Sequence, residues 1–403
     1  MKSRNIRFIV LSALLLSLVG CAKKVDKVDK FAIDCDAIRG FNYTPASVAA
    51  PRHHTDSWVK YNEQTTVFDM DLAKELDLNM ARVFVNYQAY QELGGEELAR
   101  RLQHFCRVCE ERGIGVIPVV GNGAWVRDTT QRDLAKEWAE FLVNTLKDEP
   151  ALAMWDIHNE PDSNNPERRA MNFSNCRFLS GLFHELDPNT PVTIGAMLVP
   201  GMIELADYVD ILQFHDYSET REGIKEQIKA AREFSQKVGK PVFNGELGCI
   251  ARANPYDVTL EEHQKAGMGW VIWELMIVRE GWGNVHGVFY EDGTVRDPSI
   301  YTAIKGHFRN RKNIRLEEPD SEGKVTSVLR RIDAWKADGA KDFDKGADLA
   351  EVAANLLESA QLAPMHIAPL YEVNQVRESR DLKELSALIQ KYSAMLEPYK
   401  RQQ

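Results

Sequence analysis

From residue 36 onward, short runs of β-branched and other apolar residues alternate with amphipathic helical stretches, and no other feature narrows the fold of this chain as far. The candidate strands are Ile38–Tyr43, Met80–Val85, Gly115–Val120, Met154–His158, Pro191–Ala196, Asp210–Tyr217, Pro241–Glu246 and Gly269–Leu275. Between them lie helical patterns such as Leu134 to Leu146, with Leu134, Trp138, Phe141, Leu142 and Val143 on one side. Another runs from Arg168 to Leu186 and closes at Asp187-Pro188. Strand–helix alternation implies a parallel sheet whose crossovers are helices. Eight repeats over residues 36–308 fit a closed (β/α)8 barrel, the TIM barrel, whose usual size is about 250 residues. An open doubly wound sheet normally has fewer strands and often a Gly-rich phosphate loop after the first, and this sequence has no such loop.

The flanks differ in composition. Gly287 to Val295 reads as a hairpin on an Asp292-Gly293 turn after the eighth strand. Residues 309–403 form a polar connector followed by helical patterns at Val328–Trp335, Leu349–Leu357 and Leu382–Leu396. This C-terminal helical extension lacks the alternating strands of a β-sandwich module. At the other end, Lys2, Arg4 and Arg7 precede the short apolar run Phe8 to Val19, so residues 1–20 read as a secretory leader. The run ends Leu18-Val19-Gly20-Cys21, which resembles the bacterial lipoprotein cleavage box, where the cysteine becomes the lipidated first residue. That resemblance implies a cell-envelope protein held on a membrane through Cys21, with residues 21–35 as a charged tether.

Loss of the leader's three basic residues takes the formal charge from −10 to −13, which argues against nucleic acid as a partner. The cysteines after Cys21 are odd in number and scattered, so they are no disulfide framework. Cys106 and Cys109 share a helical face with Leu98, Leu102 and Phe105, and read as core residues rather than zinc ligands.

Two of the expected strands end in a carboxylate. Trp155-Asp-Ile-His-Asn-Glu-Pro-Asp162 carries Glu160 at the end of the fourth, and Pro241-Val-Phe-Asn-Gly-Glu-Leu-Gly248 carries Glu246 at the end of the seventh. Barrel enzymes gather their reacting groups at the C-terminal ends of the strands. Two acids about 5 Å apart over one mouth are what glycosidic bond cleavage with retention requires, one to donate a proton and one to attack.

With these residues in place, the barrel portion resembles a retaining glycoside hydrolase of the large (β/α)8 clan, most nearly family 5, the cellulase and mannanase family. The resemblance makes Glu160, in Asn159-Glu160, the acid/base and Glu246 the nucleophile. It matches Arg82 in Leu78-Asn-Met-Ala-Arg-Val-Phe84 to the family's arginine on strand two, His215-Asp-Tyr217 to its His-x-Tyr on strand six, and Trp273 to its tryptophan on strand eight. The roles implied are that Arg82 and Tyr217 hold Glu246 ionised, Asn159 meets the sugar 2-hydroxyl, His215 orients the acid/base, and Trp273 floors the sugar site. One departure is Gly121-Asn122-Gly123-Ala-Trp125 after strand three, where many members carry a histidine. Strict alternation would also turn Asn159 and Glu160 to opposite faces, so strand four is expected to bend or bulge there.

Trp58, Tyr87, Tyr90, Trp125 and Trp282 are candidates for stacking on sugar rings, with Trp125 and Trp282 preferred because each soon follows a strand end. His53-His54, in the loop after strand one, either lines a subsite or is solvated. Strand one lacks the His-x-His of metal-dependent barrel hydrolases, although Asp156, His158 and His215 could be drawn as a metal set. The expectation is an enzyme with no cofactor and an oligo- or polysaccharide substrate. The competing reading is a non-catalytic glycan-binding barrel lipoprotein, which loss of either glutamate would have favoured.

Overall fold

The computed structural model of the protein describes residues 31–48, 52–121, 130–162, 165–250, 256–278, 285–308, 321–359, 363 and 367–400. The expected leader, Cys21 and most of the tether lie outside the described residues. The strands are β1 (Arg39–Tyr43), β2 (Met80–Phe84), β3 (Gly115–Val119), β4 (Trp155–Asn159), β5 (Val192–Ala196), β6 (Leu212–Asp216), β7 (Val242–Leu247) and β8 (Trp270–Ile272). All pair in parallel with their sequence neighbours, and β8 closes on β1. The (β/α)8 barrel is the observed architecture.

Seven of the strands fall within two residues of the bounds expected from sequence; β8 is the shorter one. After Ile272 the chain leaves the regular ladder, yet Trp273 N–H still donates to Leu247 O at 2.8 Å and Leu275 N–H to Asn42 O at 3.0 Å. The Trp273–Glu274 peptide is cis.

Strands are buried on both faces, so the barrel has two apolar layers. Trp155, Phe214, Trp270 and Leu212 point out to a shell that helices complete with Phe105, Trp138, Leu142 and Phe183. Ile38, Met80, Ile117, Met154 and Phe243 fill the N-terminal end of the barrel. Phe31 and Ile33, assigned from sequence to the tether, pack against this second cluster, and Phe31 N–H donates to Pro150 O at 3.0 Å.

The crossover helix Arg221–Val238 shows how local chemistry delivers a strand. Thr220 Oγ1 accepts from Gly223 N–H at 3.0 Å and starts the helix, while Ile224, Ile228 and Ala231 bury its inner face. Gly239, at φ 68°, ends it in the left-handed conformation that glycine adopts without penalty, and Pro241 leads directly into β7. Helix Gly95–Glu110 likewise buries Leu98, Leu102, Phe105, Cys106 and Cys109 together, so the paired cysteines are core residues. Both are free thiols, as are Cys35, Cys176 and Cys249.

After the barrel, Phe289 and Val295 form an antiparallel bridge, and Asp292 Oδ1 accepts from Thr294 N–H at 2.9 Å, as expected for the small hairpin. The C-terminal helices are Ser321–Ala337, Phe343–Ser359, Pro369–Ser379 and Leu382–Leu396; the third has no counterpart in the sequence reading. They enclose their own core of Trp335, Leu357, Leu385, Ile389 and Tyr392. Ala368 and Tyr371 pack on Cys249 and Val285, which follow β7 and β8. Among the described residues no helix is long and apolar enough to cross a membrane.

Candidate active site

A bulge in β4 builds the site. Asp156 pairs with Thr193 and Asn159 with Gly195, so three steps along β4 oppose two along β5. Without the extra residue Asp156 and Asn159 would face opposite ways; with it, both reach the guanidinium of Arg82. Asn159 Oδ1 accepts from Nη2 at 2.8 Å, and Asp156 Oδ2 from Nε at 2.8 Å. Glu160 follows at φ 48°, a left-handed conformation that costs an L-residue about 1–2 kcal/mol. Its N–H donates to Gly195 O at 2.7 Å, which fixes the turn that brings its side chain back over the mouth.

A second bulge serves Glu246. Phe214 pairs with Asn244, and His215 with Glu246, so Gly245 is the extra residue on β7. A Cβ there would sit 2.1 Å from Gln213 Nε2, so any other residue forces the buried Gln213 off its bonds to Asp156 and Thr193. Gly195 makes room in the same way, since a Cβ would come within 2.8 Å of His215 Nε2 and 2.9 Å of Arg82 Nη2.

Arg82 is completely buried and ties these pieces together. Its Nη1 donates to Glu246 Oε1 at 2.7 Å and to Asn42 Oδ1 at 2.9 Å, in addition to the bonds to Asp156 and Asn159. A buried guanidinium is tolerable because two carboxylates and two amide oxygens satisfy its fork. Glu246 also accepts from Tyr217 Oη at 3.3 Å. His215, fully buried, places Nδ1 2.8 Å from Glu160 Oε1 and 3.5 Å from Glu246 Oε2. A Glu160 oxygen lies within 4.8 Å of a Glu246 oxygen. Trp273 is partly exposed beside them, its ring edge-on to Phe84 at 5.8 Å.

Electrostatics divide the two acids. Burial is the largest influence on Glu160, but the hydrogen bond and charge of His215 outweigh it, and the net direction is down. Burial is also the largest influence on Glu246. His215 and Arg82 pull it down as expected, yet the net direction is up, with Glu160 adding to the rise. Carboxyls this close titrate as a pair sharing a proton. Farther from the pair, burial pushes Asp216 up to about 6 and Glu274 well above the carboxylate range.

The sequence-named residues Arg82, Asn159, Glu160, His215, Tyr217, Glu246 and Trp273 thus share one mouth. Trp125 and Trp282 lie outside the described residues. Trp58 is a buried anchor whose Nε1–H donates to Phe84 O at 2.6 Å, while Tyr87 and Tyr90 pack on Trp138 rather than offering a face to the mouth. His53 and His54 open a helix, His53–Val59, and are partly buried rather than solvated. The group Asp156, His158 and His215 is no metal set, because Arg82, Gln213 and Gly195 N–H occupy Asp156. Glu160, His215 and Glu246 do converge closely enough to offer a cation one donor atom each.

Sequence reasoning missed Asn42, Gln213 and Phe84, and named Asp156 only as a possible metal ligand. Asp156 carried a readable signal, a charge in the middle of an otherwise apolar strand, which demands a buried partner. Asn42 did too: its Nδ2 reaches Gly245 O and Ile272 O at 3.1 and 3.2 Å, joining β1 to β7 and β8.

No curated protein sequence matches the chain. Among solved structures, the exo-β-1,4-mannosidase Op5Man5 from Opitutaceae bacterium strain TAV5 superposes with a TM-score of 0.54 at 19% identity, over 73% of this chain and 66% of that one. A family 5 subfamily 18 glycoside hydrolase from Streptomyces cattleya, crystallised with Manβ1-4GlcNAc, gives 0.55 at 15% identity over 66% and 79% of the respective chains. Another subfamily 18 protein, from Bifidobacterium longum subsp. infantis, gives 0.54 at 15% over 68% and 79%. At such identities the likeness is one of fold. The family model for cellulase, glycosyl hydrolase family 5, matches residues 39–277, more than half of the chain and the whole of the barrel from β1 through β8, and the protein belongs to that family.

Proposed function

We propose that the protein is a retaining β-glycosidase that works by double displacement, with Glu246 as nucleophile and Glu160 as acid/base. One arrangement carries the reading: oxygens of Glu160 and Glu246 within 4.8 Å of each other, over one mouth, with Arg82 bonded to Glu246 and His215 between the two. That spacing suits direct attack, for which the carboxyls stand about 5–5.5 Å apart, and not the roughly 6.5–9.5 Å that an interposed water needs.

In the first step Glu246 attacks the anomeric carbon while Glu160 protonates the departing oxygen. In the second, Glu160 takes a proton from water, whose oxygen displaces Glu246. The proton must therefore begin on Glu160, against the resting preference described above. His215 can donate from Nδ1 and so bond Glu160 whether or not that carboxyl is protonated. Ionised Glu246, held by Arg82 and Tyr217, then raises the proton affinity of Glu160; its esterification removes that charge when Glu160 must act as base. Asn159, whose Oδ1 is committed to Arg82, presents its amide N–H to the sugar 2-hydroxyl, and Trp273 lies under the ring.

The substrate class is a β-linked glycan of mannan, glucan or xylan type. β-Mannosides head the assay panel because one structural neighbour is a mannosidase and another was crystallised with Manβ1-4GlcNAc. The lipoprotein-like box at Cys21 adds a lipid anchor on the bacterial cell envelope to the proposal; globomycin-sensitive processing and [³H]palmitate labelling lost in Cys21→Ser test it.

Glu246→Ala abolishes turnover with the fold intact, and azide restores part of it with inverted product. A 2-fluoro-glycoside labels Glu246; a label on any other residue sinks the nucleophile assignment. Glu160→Ala spares aryl substrates with good leaving groups more than natural ones, and equal losses on both refute its acid role.

A further inference from the structure

His54 is a motif residue that the proposed chemistry leaves without work, and its surroundings are unusual for a residue on a rim helix. The helix His53–Val59 is clamped to the end of β2 at two points. Trp58 Nε1–H donates to Phe84 O at 2.6 Å, and Thr55 Oγ1 lies 3.1 Å from both Asn86 Oδ1 and Gln88 Oε1, with Asn86 Nδ2 donating back at 2.9 Å. The clamp presents the His54 imidazole to the ring of Phe84, on which it stacks at 3.9 Å with an interplanar angle of 16°. That same phenyl ring meets Trp273 edge-on and lies 5.1 Å from the guanidinium carbon of Arg82. His54 is therefore one ring away from both the candidate sugar floor and the group that holds Glu246.

Three further properties fit a ligand-binding role. The residue is only partly buried, and neither ring nitrogen is among the enclosed polar atoms that lack a partner. Neither ring nitrogen has a hydrogen-bond partner among the described residues. Burial, then the neighbouring His53 and Arg82, hold its pKa well below the ordinary histidine value, so it stays neutral near pH 7 with one N–H and one lone pair to offer. A sugar hydroxyl is at once donor and acceptor and matches such a group. A charged imidazolium beside Arg82 would match an anion instead.

We propose that His54 is a substrate-binding residue whose imidazole hydrogen-bonds a hydroxyl of the sugar ring seated at Trp273, on the β1–β2 side of the mouth. This rests on the glycosidase reading, and it assigns to this chain a specificity contact supplied from the segment after β1. A site that spends a buried polar group on one hydroxyl rejects the analogue lacking it far more strongly than an apolar wall does.

The test uses the full chain and separates binding from turnover. Affinity for mannotetraose and cellotetraose is measured by calorimetry in the inert Glu246→Ala background, with and without His54→Phe or His54→Gln. Phenylalanine keeps the stack on Phe84 and removes the nitrogens; glutamine keeps the polar atoms and loses the stack. The expected result is a loss of about tenfold in affinity for His54→Phe at unchanged melting temperature, with partial recovery in His54→Gln. In parallel, kcat/KM is measured on 4-nitrophenyl β-D-mannoside, the β-D-glucoside and their monodeoxy analogues in the Glu246-intact protein. One monodeoxy position should be strongly discriminated by the parent protein and hardly at all by His54→Phe. Unchanged tetrasaccharide affinity in His54→Phe, with parental turnover intact, overturns this inference alone. So does an equal loss on every analogue with a lowered melting temperature, which marks a structural role. A parent protein that binds both tetrasaccharides but cleaves no glycoside fails the glycosidase reading, while a His54-dependent affinity in it still supports the contact.

Discussion

Replacing Arg82 by methionine is the perturbation that most directly questions the site's construction. The guanidinium satisfies Asp156, Asn42, Glu246 and Asn159 at 2.7–2.9 Å, and none of it is exposed. Methionine fills much of the space but strands two buried carboxylates. Removing one partner of a buried ion pair costs about 3–5 kcal/mol. Asp156 keeps Gln213 Nε2 and Gly195 N–H at 3.2 Å, and Glu246 keeps Tyr217 at 3.3 Å, which soften the loss. The expected destabilisation at pH 7 is therefore about 4 kcal/mol, mid-range for a broken buried pair. It should also depend on pH with a defined sign. Without the guanidinium, the Glu246 pKa, already raised by burial, moves further above its unfolded value of about 4.3. An acid raised in the folded state takes up a proton on folding, so stability falls as pH climbs from the unfolded value through the folded one. The loss is then largest at pH 7 and smaller at pH 4.5. Urea unfolding at both pH values reads this by tryptophan fluorescence in a Trp335→Phe background, where every remaining tryptophan falls within residues 36–308 of the sequence. A loss below about 1 kcal/mol at both pH values, or a greater loss at pH 4.5, would refute the reasoning.

Other perturbations probe other links. The pairing that pulls Glu160 down contributes stability above its unfolded pKa and loses it as pH falls through the folded value, so Glu160→Gln should cost more at pH 6 than at pH 3.5 in thermal melts. Gly195→Ala would push a methyl group against His215 and Arg82; about 1–3 kcal/mol of overpacking strain is expected, with a fall in kcat out of proportion to it, read by steady-state kinetics beside melting curves. Trp335→Ala removes the largest side chain of the C-terminal core and should weaken that unit by about 3–5 kcal/mol while the barrel's own transition in a calorimetric scan stays put. A shift of both transitions together would show that the two cores unfold as one.

Much of the barrel was legible because period and repeat number are local properties of the chain. Each βα unit states its own strand in a run such as Met80–Phe84, and its own helix in a stripe such as Leu98, Leu102 and Phe105. The residues gathered at the mouth were legible too, since strand ends are where a barrel assembles side chains; a bend or bulge was expected between Asn159 and Glu160, whereas the register shift of β4 falls between Asp156 and Asn159 and Glu160 is turned by its own φ of 48°. The third C-terminal helix, Pro369–Ser379, was missed because only Pro369, Val373 and Val376 are buried along it, a stripe too sparse to stand out.

The partnerships belong to the tertiary structure. Asp156, Asn42 and Glu246 are 74, 40 and 164 residues from Arg82, and no local pattern says that one guanidinium will satisfy all three. The same holds for the proton. From sequence, Arg82 would hold Glu246 ionised; in the folded protein burial outweighs the nearby cations, because desolvation depends on everything packed around a carboxyl and not on its partner alone. The chain by itself determined which elements form and where the two acids stand along them, since both follow from short-range periodicity. Only closure of the barrel decided how far each acid is buried and what it touches, since those are set by contacts between segments far apart in sequence.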